Sequence, residues 1–78
     1  MMQDMIVEYQ KKFKKWIMKD NWDSIAERLS PSLMSIVTIV MNAKSEKDVS
    51  FIVLKNLDYT ICKIESIDKS LKKTSKRR

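Results

Sequence analysis

The chain has 78 residues, which is one domain with a thin stability margin, because a chain of this size buries only about 60% of its unfolded surface. It contains no His and no Gly, which excludes imidazole catalysis, the common zinc sites and glycine-rich phosphate loops. The formal net charge is +6, but residues 1–68 carry equal numbers of basic and acidic side chains. The whole positive excess therefore lies in residues 69–78.

Residues 2–19 have the pattern of an amphipathic helix. Cationic side chains lie opposite its apolar side, and Glu8 is placed to pair with Lys12 one turn later. The apolar stripe consists of Met2, Met5, Ile6, Tyr9, Phe13, Trp16 and Ile17, and the opposite face carries Lys11, Lys12, Lys15 and Lys19. Cap and turn residues follow at 20–24, with Asn21, Asp20 or a Ser24–Glu27 capping box as alternative caps. A short helix is expected at about 22–29.

The most apolar part of the chain follows Ser30 and Pro31, which are typical of the N-cap and first position of a helix. We predict a central helix at 31–43. Its polar residues Ser35, Thr38 and Asn42 form only one thin stripe. A helix that is apolar nearly all round should be enclosed by others.

The last predicted helix runs from 46 to about 71, with Ser45 as its cap. Its main apolar stripe is long and continuous: Val49, Val53, Leu54, Leu57, Ile61, Ile64, Ile67 and Leu71. A second apolar side in its first half is formed by Phe51, Ile52, Tyr59 and Cys62. Cys62 is the only cysteine, so no internal disulfide is expected, and the favoured interpretation is a small buried apolar side chain.

A β alternative exists for residues 36–40 and 51–54, which are rich in strand formers. Polar residues recur every third position, however, and helix caps precede both runs, so helices are favoured. A helix-turn-helix formed by 24–29 and 31–43 is disfavoured because its second helix is too apolar to enter a DNA groove. We predict an all-α fold: residues 1–68 form a small bundle of three main helices plus a short helix, and residues 69–78 form a disordered basic tail.

The surplus of large apolar side chains is the first functional signal. Either the other helices cover the second side of the last helix, or a partner does. The expected interface residues are Phe51, Ile52, Tyr59, Trp16 and Trp22. The favoured hypothesis is a non-enzymatic protein–protein interaction module (a subunit, adaptor or inhibitor) that self-associates as a homo-oligomer.

The basic C-terminal segment is the second functional signal. As an alternative function, we consider a nucleic-acid-binding accessory protein that makes sequence-independent phosphate contacts with DNA or RNA. The residues concerned are Lys69, Lys72, Lys73, Lys76, Arg77 and Arg78. Anionic lipid, an acidic protein surface, or a purely solubilising role remain open for the same segment. The cluster also resembles a nuclear-import signal.

No catalytic, cofactor-binding or metal-binding residues are expected. Asp20, Asp23 and Glu27 cluster near one turn, but helix capping and solvation explain them better than a metal or acid–base site. The longest uncharged run, 29–43, is shorter than the roughly 20 residues needed to span a bilayer. The chain begins without the basic start of a signal peptide. We expect a soluble intracellular protein, cytoplasmic or, in a eukaryotic or viral setting, nuclear.

Overall fold

The computed structural model describes residues 5–76, with side chains described for residues 5–72. All regular elements in this range are helical, which confirms the all-α class and rules out strands at 36–40 and 51–54. A single 3-10 turn, Glu46–Asp48, lies between the third and fourth helices. The α-helices are α1 (Met5–Ile17), α2 (Trp22–Arg28), α3 (Pro31–Asn42), α4 (Phe51–Lys55) and α5 (Leu57–Lys76).

The starts of α2 and α3 lie where the sequence predicts them, but only one is capped by its side chain. The Ser30 hydroxyl accepts a hydrogen bond from the Leu33 backbone N–H at 3.2 Å, and Pro31 takes the first helical position. At α2, Asn21 occupies the N-cap position without a side-chain cap bond. The helix already includes Ser24, so the Ser24–Glu27 capping box is not used.

The prediction of one continuous helix over 46–71 is wrong, because polar side chains interrupt it twice. Ser45 caps only the 3-10 turn, and the Ser50 hydroxyl then accepts from the Val53 N–H at 3.3 Å, so a new helix begins at Phe51. Asn56 separates α4 from α5, and its side-chain amide donates to the Ile52 carbonyl at 2.8 Å. Such local side-chain bonds compete with continuous helical bonding.

The apolar stripe predicted for the last helix survives these breaks. Val49, Val53, Leu57, Ile61 and Ile64 are all buried. Together with residues of the earlier helices they form one core, completed by Ile6, Phe13, Ile25, Leu29, Leu33, Val37 and Val40. Burial of the shared side thus decides the path of residues 46–71 even where the backbone leaves the helical conformation.

The end of α5 also differs from the prediction. The helix continues to Lys76 rather than ending at about Leu71. The predicted disordered tail at 69–78 overlaps this helix and is not confirmed. Arg77 and Arg78 lie outside the described residues.

Helix α1 packs against α3, while α2, α3 and α4 pack against α5. Gln10 fixes the first of these contacts. Its side-chain amide donates to the backbone carbonyls of Val40 at 2.9 Å and Ala43 at 2.8 Å. The last carbonyls of a helix lack i+4 partners within it, so this amide gives the Ala43 carbonyl a partner and adds a second donor to Val40, which already accepts from the Ala43 N–H. The one side chain thereby joins two helices.

The expected complete enclosure of α3 is wrong. Leu33, Val37 and Val40 are buried, but Ser35 and Ile39 are exposed. The Cα extents are 48 × 25 × 16 Å. Since packed helix axes lie about 8–10 Å apart, the thin dimension holds only two helix layers. One side of α3 is therefore left facing solvent.

Candidate interaction surfaces

An open groove runs between the uncovered side of α3 and the pair α4–α5. Its volume is about 760 Å³. We call it the apolar groove, and its apolar lining consists of Leu29, Leu33, Ile36, Ile39, Ile52, Val53 and Tyr59. Ser32 and Ser35 of α3, both exposed, and Asn56 also line it. The groove is large enough to hold side chains of another helix.

The exposed apolar side chains concentrate at this groove. Ile52 is 70% exposed, Tyr59 55% and Ile39 40%, and all three line it. Phe51, next to Ile52 on α4, is 72% exposed. The Lys55 ammonium, itself exposed, lies 5.3 Å from the centroid of the Phe51 ring. The structure thus leaves Phe51, Ile52 and Tyr59 uncovered, and it adds Ile39, which the sequence pattern assigned to the enclosed helix.

The charged residues of the apolar groove are cationic. Arg28 and Lys63 both line it and both are exposed. Arg28 donates a hydrogen bond to the Ser24 carbonyl one turn earlier, which holds its guanidinium near the end of α2. Two identical copies meeting at this groove would therefore bring positive charges closer together, a modest penalty that salt reduces.

Of the five expected interface residues, Ile52 and Tyr59 line the apolar groove, whereas Trp16 and Trp22 do not. Both are half-buried and pack against the core. Trp16 instead lines a second, separate groove. These two residues share helical spacing with the core stripes, and sequence spacing alone did not separate core aromatics from exposed ones.

The second groove lies between α1 and α5 and has a volume of about 280 Å³. We call it the basic groove, and it is lined by Lys12, Lys15, Trp16, Lys19, Ile61 and Glu65. The Lys19 ammonium lies 4.5 Å from the Trp16 ring centroid, and the Lys12 ammonium lies 5.4 Å from that of Tyr9. Aromatic rings therefore position two of its three cations.

Asp68 connects the basic groove to the C-terminal half of α5. Its carboxylate accepts a hydrogen bond from the Asn21 side-chain amide at 2.7 Å. One of its oxygens also lies 3.7 Å from the Lys19 ammonium and 3.2 Å from that of Lys72. The Asn21 hydrogen bond, helped by the two lysines, holds the pKa of Asp68 below its ordinary value, although burial opposes this.

A second side-chain contact joins α1 to the start of α5. The Tyr9 hydroxyl donates to the Asp58 carboxylate at 2.6 Å. This hydrogen bond is the main reason that the pKa of Tyr9 is raised above 10.0, because ionisation of the phenol would remove the donated proton and place two negative charges together.

The two grooves lie on opposite sides of α5. Tyr59 and Lys63 line the apolar groove, whereas Ile61 and Glu65 line the basic groove. In each helix turn of 3.6 residues, positions two apart point in nearly opposite directions. A partner bound at one groove therefore leaves the other groove open.

The residues predicted to bind nucleic acid are only partly within the described structure. Lys69 and Lys72 are exposed on α5, and Lys72 contacts Asp68. The backbones of Lys73 and Lys76 lie in α5, while their side chains, like Arg77 and Arg78, lie outside the described set. The structure thus brings one predicted tail residue, Lys72, to the same carboxylate as Lys19 of the α1 lysine face.

The prediction that Cys62 is buried is wrong, because its side chain is exposed. It lies one position after Ile61, which faces the core, so the helical rotation turns it outward.

Among residues 5–76, no group of three His, Cys, Asp or Glu side chains is arranged to hold a metal ion. No helix in that range is long and apolar enough to cross a membrane.

Comparisons with protein families, with curated proteins and with solved structures found no match for this chain. The interpretation of both grooves therefore depends on their own geometry and charge.

Two residues that join the helices, Asp68 and Gln10, could not be recognised from the sequence. Asp68 is 4% exposed, although a lone acid preceding a basic segment resembles a solvated position. In the sequence, Gln10 has the context of an ordinary solvent-facing polar residue of α1. Their partners lie 47 and 30 positions away in the chain, so no local pattern could reveal them.

Proposed function

We propose that this chain is a non-enzymatic association module that binds a second copy of itself through the apolar groove. In this proposal the helices form a small bundle with one open side, and the second copy completes it. The observation that supports it is the position of Phe51 and Ile52. Both side chains are exposed on α4, where Ile52 lines a groove that also holds six other apolar residues and Phe51 is its neighbour in the chain.

Such a surface is self-complementary. In a two-fold dimer each copy contributes the same patch, so α4 of one copy can enter the groove of the other while its own groove receives the partner's α4. The chain thus carries both the apolar projection and an apolar site that accepts it. This match favours a second copy over an unrelated partner.

The energies favour a weak dimer. Burying one large apolar side chain contributes about 1.5–3 kcal/mol, and a two-fold dimer would cover Ile39, Phe51, Ile52 and Tyr59 twice. Because these side chains are already partly covered, the gross gain is on the order of 10 kcal/mol. Association costs an estimated 4–15 kcal/mol, and the cations Arg28 and Lys63 add some repulsion. Even the smallest of these costs leaves only about 6 kcal/mol before repulsion, so we expect a dissociation constant on the order of 0.1 mM.

Sedimentation velocity over a concentration series tests the proposal. The full chain should shift from monomer to dimer as concentration rises. The double substitution Phe51→Gln/Ile52→Gln should raise the dissociation constant at least about tenfold, because each lost apolar contact counts twice in a two-fold dimer. Circular dichroism should show an unchanged helix content, since both side chains are exposed in the single copy.

The matched control is Met5→Gln/Met18→Gln. Met18 is 73% exposed, as much as Phe51, and neither methionine lines the apolar groove. The control should dimerise like the natural chain. A chain that stays monomeric at all concentrations, or a control that weakens the dimer equally, would contradict the proposal.

A further inference from the structure

We propose that the basic groove and the adjoining lysines of α5 form a binding surface for single-stranded nucleic acid, with phosphates on the lysines and a base against Trp16. This surface belongs to the folded body of the protein and does not depend on self-association. It differs from binding by the C-terminal segment alone, because its central cations come from the opposite end of the chain.

Cations outnumber acids around this groove. Lys12 and Lys15 lie on α1, Lys19 follows it, and Lys72 contacts the same carboxylate oxygen as Lys19. Lys69 lies one turn after Glu65 and is exposed. Of the acids nearby, Asp68 is buried and Asp58 accepts from the Tyr9 hydroxyl, while Glu65 lines the groove and Glu8 lies one turn before Lys12. The surface that a ligand meets therefore carries a positive excess.

The lysines are also spaced along one groove. Lys12 and Lys15 lie about 4.5 Å apart along the axis of α1, and Lys19 follows two residues after the helix ends at Ile17. Because all three line the same groove, successive phosphates of one strand can meet them in turn.

An aromatic ring, that of Trp16, lies within the positive groove. Proteins that bind single strands combine a cationic path for phosphates with aromatic rings on which bases stack. Lys19 covers the Trp16 ring at 4.5 Å and lies 3.7 Å from Asp68. Both contacts are weak for an exposed lysine, so a phosphate can draw the ammonium away and free the ring for a base.

The same geometry disfavours a lipid surface as the ligand. An amphipathic helix that binds a membrane has cations on its polar face and inserts its apolar face into the bilayer. The apolar face of α1 is already buried in the core through Ile6 and Phe13, so the folded protein cannot insert it beneath the lysines. Acidic polypeptides, for their part, would gain nothing from a stacking ring.

Fluorescence anisotropy with a labelled oligodeoxythymidine tests the charge component. The full-length triple variant Lys12→Gln/Lys15→Gln/Lys19→Gln should bind at least about tenfold more weakly, and its dependence of log affinity on log salt should flatten by about 2. The control triple variant Lys44→Gln/Lys47→Gln/Lys55→Gln changes net charge equally at exposed positions away from the basic groove. Equal weakening by both variants would overturn the proposal, since binding would then follow net charge alone.

Two Trp16 variants test the base-stacking component. Trp16→Leu should weaken oligodeoxythymidine binding by about tenfold, and Trp16→Phe should restore most of it, because a phenyl ring still stacks. Both variants are checked for folding by circular dichroism, since Trp16 packs partly on the core. If Trp16→Leu folds and binds normally, the base does not stack there and the proposal fails.

Competing ligands complete the test. The account predicts tighter binding to the single strand than to a duplex of equal length, to polyglutamate, or to phosphatidylserine vesicles. Equal or tighter binding of any of these would overturn the proposal. In the Trp22→Phe variant, the remaining Trp16 fluorescence should change as oligonucleotide is added, and an unchanged signal under saturating conditions would also count against it.

Discussion

The two grooves on either side of α5 expose opposite kinds of surface. The apolar groove is wide, about 760 Å³, and its exposed residues Ile39, Ile52 and Tyr59 come from three helices. The basic groove is smaller, about 280 Å³, and draws Lys12, Lys15 and Lys19 from one end of the chain. The difference teaches that a small helical domain can present an apolar surface and a cationic surface on opposite sides of one long helix.

The largest effect is expected from removing core packing on which both grooves depend. Phe13 is fully buried on α1, so Phe13→Ala should cost about 3–5 kcal/mol of unfolding free energy. A domain of this length has only about 4–12 kcal/mol in total. Urea unfolding, monitored by circular dichroism at low protein concentration, measures the loss.

Phe51→Ala is the matched control for that experiment. It removes the same side chain from a position that is 72% exposed, and it should change monomer stability by no more than about 0.5 kcal/mol. Similar losses in both variants would mean that Phe51 is buried in the monomer, contrary to the structure.

Salt should act on the two surfaces with opposite signs. If the oligonucleotide makes about four phosphate contacts, a fourfold rise in salt should weaken its binding roughly 50-fold. Self-association should instead strengthen slightly, because salt screens the repulsion among Arg28 and Lys63 of the two copies. Anisotropy and sedimentation velocity, run in the same buffers, measure both; a dimer that dissociates as salt rises would show that ion pairs, not apolar contacts, hold it together.

Asp68 is buried and contacts Lys19 of the basic groove. Its contribution to the free energy of unfolding should depend on pH. Asp68→Asn should cost about 1–3 kcal/mol near neutral pH, because a charged hydrogen-bond acceptor is lost. The native pKa is below the ordinary value of 3.8, so the contribution is complete above that value and is lost as pH falls through the lowered native pKa.

Urea unfolding of the natural chain and Asp68→Asn across a pH series checks this sign. The gap between the two proteins should be widest near neutral pH and close below pH 3.8. A gap that stays constant, or widens in acid, would show that the carboxylate charge does not stabilise the fold.

The smallest effects are expected from single-charge substitutions, which distinguish the two grooves most directly. Lys63→Gln should tighten self-association about two- to threefold by removing repulsion at the apolar groove, and it should leave oligonucleotide binding nearly unchanged. Lys15→Gln should weaken oligonucleotide binding severalfold and leave the dimer nearly unchanged. Both residues are exposed lysines, so a crossed or equal pattern would mean that the grooves are not independent.

Local signals predicted most of the helices, because caps and periodicity act over a few residues. Ser30 and Pro31 mark the start of α3 as expected. The stripe from Val49 to Ile64 was also predicted, although the breaks at Ser50 and Asn56 were not. Neither Ser50 nor Asn56 would by itself exclude a continuous helix. Only the folded structure shows which backbone groups their side chains bond.

The sites were less predictable, since they depend on which sides of different helices meet. Phe51, Ile52 and Tyr59 could be chosen from their position outside the core stripe, and they are indeed exposed. Trp16 shares the spacing of the α1 core stripe, so its place among the lysines emerges only when α1 lies against α5. The contact between Lys19 and Lys72 depends on Asp68, 49 positions after Lys19, and no local pattern indicates it.

The most direct test is sedimentation velocity of the full chain at a concentration where it dimerises, with and without saturating labelled oligodeoxythymidine. Because the grooves lie on opposite sides of α5, the account predicts that the dimer persists and carries the label. Label that sediments only with monomer, or a chain that never dimerises, would contradict the separation of a self-association surface from a nucleic-acid surface.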